Sequence, residues 1–246
     1  MTPEALLDCF DDVARAVRDA VAPIDASTRR ARTDVAGQYA LDLIADDAAL
    51  SVLRKLPVRV VSEESGVHEH AGATITVMLD PVDGSTNCSR GISYWAISIC
   101  ALDADGPLAA LVVNQATGQR TTAIRGAGAH RDGVALRASN VARVEDAVVA
   151  LSGFPPVRLP WKQFRALGCA SLVLCDVAAG GIDGYFDAGP YHAPWDYLGG
   201  YLACTEAGAV VHDANGDELV TDDPNARRQL VAAATAALAD ALTGAP

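Results

Sequence analysis

The chain has 246 residues, half of them apolar, and a formal net charge of −12 at pH 7. That length buries one sizeable core or two closely joined halves, and so negative a surface repels nucleic acid and anionic membrane, so neither is an expected partner. The start Met1-Thr2-Pro3-Glu4 lacks the pattern of a signal peptide, no apolar run is long enough to cross a bilayer, and six scattered cysteines without a Cys-x-x-Cys pair read as buried hydrophobes of a reduced cytoplasm.

Thr2 caps a helix whose first residue is Pro3, with Leu6, Leu7, Phe10, Val13, Ala14 and Val17 at helical spacing. Arg29-Arg30-Ala31-Arg32 reads as a solvated helix end or loop. A second helix is expected from about Gln38 to Leu53, with Leu41, Ile44, Ala48 and Val52 on one side and Asp42, Asp46 and Asp47 on its other surfaces. Two β-branched runs follow, from Val58 to Val61 and from Thr74 to Leu79. Each ends in acidic residues, Glu63-Glu64 and then Asp80 and Asp83. Trp95 to Leu102 and Leu108 to Val113 form a hairpin, and Thr121 to Ile124 adds a third strand. A change of character near Ser139-Asn140 divides the chain into an N-terminal α+β half, residues 1–138, and a C-terminal α/β half, residues 139–246.

In the second half, Cys169 to Ala179 reads as an apolar helix stopped by Gly180-Gly181. A strand from Asp183 to Phe186 leads to the loop from Asp187 to Ala193. Pro194 starts another helix that ends at Ala207-Gly208. Strands at Val210-Val211 and from Leu230 to Ala233, then an alanine-rich helix, complete a mixed α/β layered fold.

Asp80-Pro81-Val82-Asp83-Gly84-Ser85-Thr86-Asn87 is the most informative stretch. Two carboxylates three apart across a proline-stiffened turn can face one hard cation, with the Val82 carbonyl between them as a further oxygen donor. Gly84 lets the backbone approach a ligand, and N–H groups at Ser85-Thr86, if they open a helix, face an anion such as phosphate. A capped surface turn explains the same residues; the apolar strand that precedes them favours a site. Glu63-Glu64 lies seventeen residues before Asp80 and completes a metal cage if the two strands are neighbours; lone Glu-Glu pairs are otherwise solvated. Asp196 falls in the first turn of a helix, where an acid commonly complements the macrodipole. Gly199-Gly200 in the next turn indicates close backbone packing.

Together these pieces resemble the inositol monophosphatase family of magnesium-dependent, lithium-sensitive phosphatases. Asp-Pro-Val-Asp-Gly-Ser-Thr-Asn is similar to its first signature, and Trp195-Asp196 through Glu206-Ala207-Gly208 to its second. The resemblance implies a layered α-β-α-β-α sandwich in which the N-terminal half carries most metal ligands and the C-terminal half carries Asp196 and the substrate-side residues. It implies Glu63, Asp80, Asp83, Asp196 and the Val82 carbonyl as ligands of two or three Mg2+. Gly84 and Ser85 hold the phosphate, with Asp83 and Asp196 beside it, and Glu63 and Ser85 orient the attacking water. Asp42 matches a helix-borne aspartate near that water, with Asp46 and Asp47 as competitors. Arg165 matches a substrate-side arginine. Asp187 stands where relatives bond a ring hydroxyl with a glutamate, although it also suits a cap on the turn Ala188-Gly189.

The implied reaction is direct hydrolysis of a small phosphorylated metabolite by a cytoplasmic homodimer, without a phosphoenzyme. Inositol monophosphate is the first substrate, with histidinol phosphate and a 3′-phosphonucleotide as alternatives. A silent relative that only binds metal or metabolite is the reading from another class. The chain departs from the family at Cys88, commonly an aromatic, and at Ala209, commonly glycine. The loop from Asp187 to Trp195 is longer, and no lysine matches upstream of the helix-borne aspartate. Elsewhere, His68, Glu69 and His70 read as a solvated loop, and His192 as touching substrate or capping its loop. Ser152-Gly153 lacks the glycine-serine pattern of a nucleophile elbow, and Gly126-Ala127-Gly128 reads as a β-turn.

Overall fold

The computed structural model describes residues 1–155 and 158–244. Helix α1 spans Pro3–Val21. Thr2 Oγ1 accepts from the Ala5 N–H, and Leu6, Phe10, Val13, Ala14 and Val17 form its buried stripe as the spacing predicts. A short α2, Ala26–Arg30, and then α3, Ala40–Leu53, follow. Arg29 folds back to donate to the carbonyls of Val21, Ala22 and Ile24, so part of the arginine run closes the end of α1. The buried face of α3 differs from the expected one. Ile44 is exposed, while Leu41, Asp42, Ala45, Asp46, Ala49, Leu50 and Leu53 are buried. Apolar spacing alone misplaces this face because two of its members are aspartates.

Strands β1 (Arg59–Ser62), β2 (Gly66–His68) and β3 (Thr76–Asp83) precede the short helix α4 (Ser85–Arg90). Strands β4 (Ala96–Asp103), β5 (Gly106–Asn114), β6 (Arg120–Ile124), β7 (Gly128–Arg131) and β8 (Val134–Ala135) complete an eight-stranded sheet, ordered β2-β1-β3-β4-β5-β6-β7-β8. The second half supplies β9 (Val148–Ser152), β10 (Gln163–Arg165), α5 (Ala170–Ala178), β11 (Gly184–Asp187), α6 (Pro194–Glu206), β12 (Val210–Asp213), β13 (Leu230–Ala233) and α7 (Ala236–Thr243). Its five strands are ordered β10-β9-β11-β13-β12.

Period-two alternation decides the layering. Val77, Leu79, Ile97, Ile99 and Leu111 face α1 and α3, while Met78, Cys100, Ala110 and Val112 face α5 and α6. Ala150, Tyr185 and Ala232 of the second sheet meet the same two helices from the other side, and Val149, Val231 and Ala233 pack on α7. The result is the layered α-β-α-β-α sandwich. Gly199 and Gly200 make the middle layer thin. A Cβ at 199 would stand 3.1 Å from Ser98 Oγ and Val112 Cγ2, and one at 200 would overlap Leu174. All six cysteines are free, and five are buried. No helix of the described residues is long and apolar enough to cross a membrane.

Candidate metal centre and cleft

Parallel pairing of β1 with β3, Ser62 opposite Leu79, ends both strands at one edge of the sheet. The Glu63 N–H continues the ladder to the Leu79 carbonyl at 3.1 Å, which delivers Glu63 beside Asp80. The register of β3 against β4 shifts between Asp80 and Asp83, around a proline with no N–H to give. Asp80 Oδ1 accepts from the Val82 N–H at 2.9 Å across that proline, and both Asp80 and Val82 are buried. Asp196 comes from the start of α6, where its Oδ2 accepts from the Ala193 N–H at 2.7 Å. The capping explanation therefore holds for one of its oxygens. Carboxylate oxygens of Glu63, Asp80 and Asp196 nevertheless lie within 4.8 Å of one another.

None of the three is salt-bridged to lysine or arginine among the described residues. Burial and then the charges of Glu63, Asp83 and Asp196 push Asp80 well above the usual carboxylate range. Burial, and then the charges of Asp196 and Glu64, do the same to Glu63. Burial raises Asp196 to about 6, against the lowering influence of His192. Gathered carboxylates with no lysine or arginine bonded to them are the oxygen donor set of a hard divalent cation, so the residues fit one.

Asp83 lies beside this cluster, but its Oδ2 is occupied. It accepts from the Ser171 N–H at 2.7 Å, the Ser171 hydroxyl at 2.6 Å and the Cys169 thiol at 3.1 Å, at the start of α5. Neither Cys169 nor Ser171 stands out in the sequence, because the contact joins residues more than 80 positions apart. Gly84 follows with φ +85°, and a Cβ there would stand 3.0 Å from the Gly168 carbonyl and 3.2 Å from Cys169 Cβ. Gly84→Ala is therefore expected to cost about 1–3 kcal/mol of stability, read as a lowered denaturation midpoint; an unchanged midpoint would show that the close approach is not needed. Ser85 opens α4, as its position after Gly84 suggests. Asn87 ties this turn down by donating to the carbonyls of Tyr94 and Leu167.

On α3 the three aspartates separate. Asp47 is exposed, and Asp46 is buried as the acceptor of the Ser62 hydroxyl at the end of β1. Asp42 is buried, accepts the Tyr39 N–H through Oδ2 at 2.8 Å, and leaves Oδ1 without a partner. Burial raises its carboxyl to about 7. Tyr39 links this end of α3 to the site through Thr86, 3.2 Å from its hydroxyl.

A cavity of about 360 Å3 is lined by Asp83, Ser152, Cys169, Ala170, Tyr185 and His192 among others. Arg165 is not among the residues that line it. It lies exposed on β10, its guanidinium on the Phe164 carbonyl. Asp187 is fully buried and turned inward, accepting from His192 Nδ1 at 2.7 Å and the Leu230 N–H at 3.0 Å. Glu206 of the second signature accepts the N–H groups of Gly126 and Gly128, so it stabilises that turn. His68 pairs with Ser65 in an exposed contact.

A family model described as the inositol monophosphatase family matches residues 11–245. The chain is 34% identical over 188 residues to a fructose-1,6-bisphosphatase/inositol-1-monophosphatase of Methanocaldococcus jannaschii, covering 74% of this chain and 73% of that protein. It is 33% identical over 193 residues to Nus factor SuhB of Pasteurella multocida, covering 72% and 71%. A solved inositol monophosphatase-fructose 1,6 bisphosphatase superposes with a TM-score of 0.83 at 28% identity, covering 93% of this chain and 94% of that one.

Proposed function

This chain belongs to the inositol monophosphatase family, and from that premise we propose that it is a magnesium-dependent hydrolase of small sugar or polyol phosphates. The observation that carries the reading is the meeting of Glu63, Asp80 and Asp196, from three separate elements, within 4.8 Å. These three, with Asp83 and the Val82 carbonyl, would hold the cations. When bound, a divalent cation acidifies water and neutralises charge on the phosphoryl oxygens.

The protein's own groups supply the rest. Gly84 and Ser85 offer backbone N–H groups to the phosphate at the mouth of the turn. Glu63, open to solvent, orients the attacking water with Ser85. Asp42 has an unpartnered Oδ1 and a carboxyl near neutrality, which suits it to accept a proton during the attack; it is the helix-borne aspartate of the site. The leaving group occupies the cavity that Asp83 and His192 help to line.

Phosphate release should be followed with magnesium over inositol monophosphate, fructose 1,6-bisphosphate, histidinol phosphate and a 3′-phosphonucleotide. Turnover of at least one sugar or polyol phosphate, abolished by chelator, is expected. Relatives named Nus factor SuhB support a second reading, a role exercised through binding. No turnover on the whole panel, with magnesium binding intact, would favour it.

A further inference from the structure

We propose that the Asp187–His192 pair makes the leaving-group side of the cleft a site for an anionic oxygen, so that the chain prefers phosphomonoesters whose alcohol carries a second phosphate or a carboxylate. The inference rests on that cleft being where the phosphoester is hydrolysed. A carboxylate in the Asp187 position would by itself welcome hydroxyl or ammonium groups. Here Asp187 is sealed from the cavity, and its Oδ2 is taken by His192 Nδ1 and the Leu230 N–H. The side chain that lines the cavity is His192.

The imidazole is held on several sides. Asp187 grips Nδ1, the His192 backbone exchanges hydrogen bonds with Arg228, and the ring meets Tyr185 edge-on at 6.2 Å. Nε2 has no hydrogen-bond partner among the described residues and is not sealed from solvent. A carboxylate behind an imidazole fixes its orientation and favours its protonated form. The ring is accordingly raised to about 9, burial working against the shift and Asp187 driving it. Nε2–H is then a charged donor at the wall of a cavity that Asp83, its Oδ2 tied to α5, also lines. Such a donor forms charge-assisted bonds with phosphate or carboxylate oxygens and repels an ammonium. The cavity, at about 360 Å3, accommodates a small metabolite.

The competing explanation is that the pair only locks the loop after β11. His192→Asn separates the two, because its amide N–H stands near the place of Nδ1 and keeps the bond to Asp187 while ending short of the cavity. His192→Gln is the complement: it reaches the cavity with a neutral amide. Four monoesters serve as probes: a sugar bisphosphate, a phosphorylated hydroxy acid, a phosphorylated neutral polyol and a phosphorylated amino alcohol. Wild-type kcat/KM should be highest for one of the two anionic alcohols, and which one identifies the group recognised. In either variant the preference for that substrate over the neutral polyol phosphate should fall about tenfold or more, chiefly through KM, with thermal stability of His192→Asn close to wild type. An unchanged preference in both variants, or a wild type that favours the amino alcohol phosphate, overturns the proposal. Calorimetric titration of the same compounds with magnesium reads the site without turnover. If wild type releases no phosphate yet binds an anionic probe about tenfold more tightly than His192→Asn does, the hydrolase reading falls and this one stands. Equal or no binding overturns it.

Discussion

Asp80→Asn is expected to lower turnover at least about 100-fold while raising the melting temperature of the metal-free protein. The loss follows from the charge that the proposed cations need: a divalent ion contributes several kcal/mol of transition-state stabilisation, and a neutral amide holds it poorly. The gain follows from the folded state without metal. Asp80 is 1% exposed and shares its surroundings with Glu63, Asp83 and Asp196, so burial and like charge both oppose its ionised form. An amide oxygen still accepts the Val82 N–H that holds the turn, so the local fold keeps its anchor. Asp83→Asn should differ in sign. Its Oδ2 serves three donors at the start of α5, and weakening that acceptor should lower activity and stability together. Melting curves in chelator and in magnesium, beside phosphate release at saturating magnesium, check both. Near-normal turnover of Asp80→Asn, or an undiminished magnesium-induced rise in its melting temperature, would remove Asp80 from the metal site.

Metal-free protein should lose stability as pH rises from about 4 to about 7, the reverse of the usual behaviour of paired carboxylates. Burial raises Asp42 to about 7 and Asp196 to about 6, against an unperturbed value of 3.8. Between the unfolded and the folded values the native state binds more protons than the unfolded one, so the stability these groups provide is present below about pH 4 and is lost as pH climbs through the folded values. A tenfold difference in proton affinity between the two states corresponds to about 1.4 kcal/mol. Asp42, only 2% exposed, therefore contributes on the order of a few kcal/mol, and the half-buried Asp196 less because water screens it. Magnesium should flatten the slope by stabilising ionised carboxylates. Denaturant midpoints at a series of pH values, in chelator and in magnesium, test this; a chelated protein whose stability rises steadily from pH 4 to 7 would refute it. Asp42→Asn should reduce the slope, to which the raised Asp80 and Glu63 also contribute, while leaving the helix end capped, since an amide oxygen can still accept from the Tyr39 N–H.

Local signals were enough for much of this molecule. The stripe of α1, the helix opened by Pro194 and the strand from Leu230 to Ala233 all follow from caps and periodicity within a few residues. The acidic strand ends and the turn at Gly84 are likewise legible, because a bulge-prone Asp-Pro and a glycine at positive φ are local matters. Strand β9 is not legible, since a short apolar run has no period to separate strand from helix. Strands β7 and β8 arise from pairing along the sheet edge.

What only the tertiary structure decided is which of the polar residues face one another. Parallel pairing of β1 with β3 sets Glu63 beside Asp80, and α6 brings Asp196 to both from over 100 residues away. Ser62 engages Asp46, while Asp42 keeps a bare oxygen. Arg165 stays out on an edge strand, and Asp187 turns from the cleft to His192. Sequence determines the spacing and chemistry of these groups along the chain. Their partners are set by nonlocal pairing and packing, in which a buried oxygen bonds whichever donor the assembled layers bring within reach.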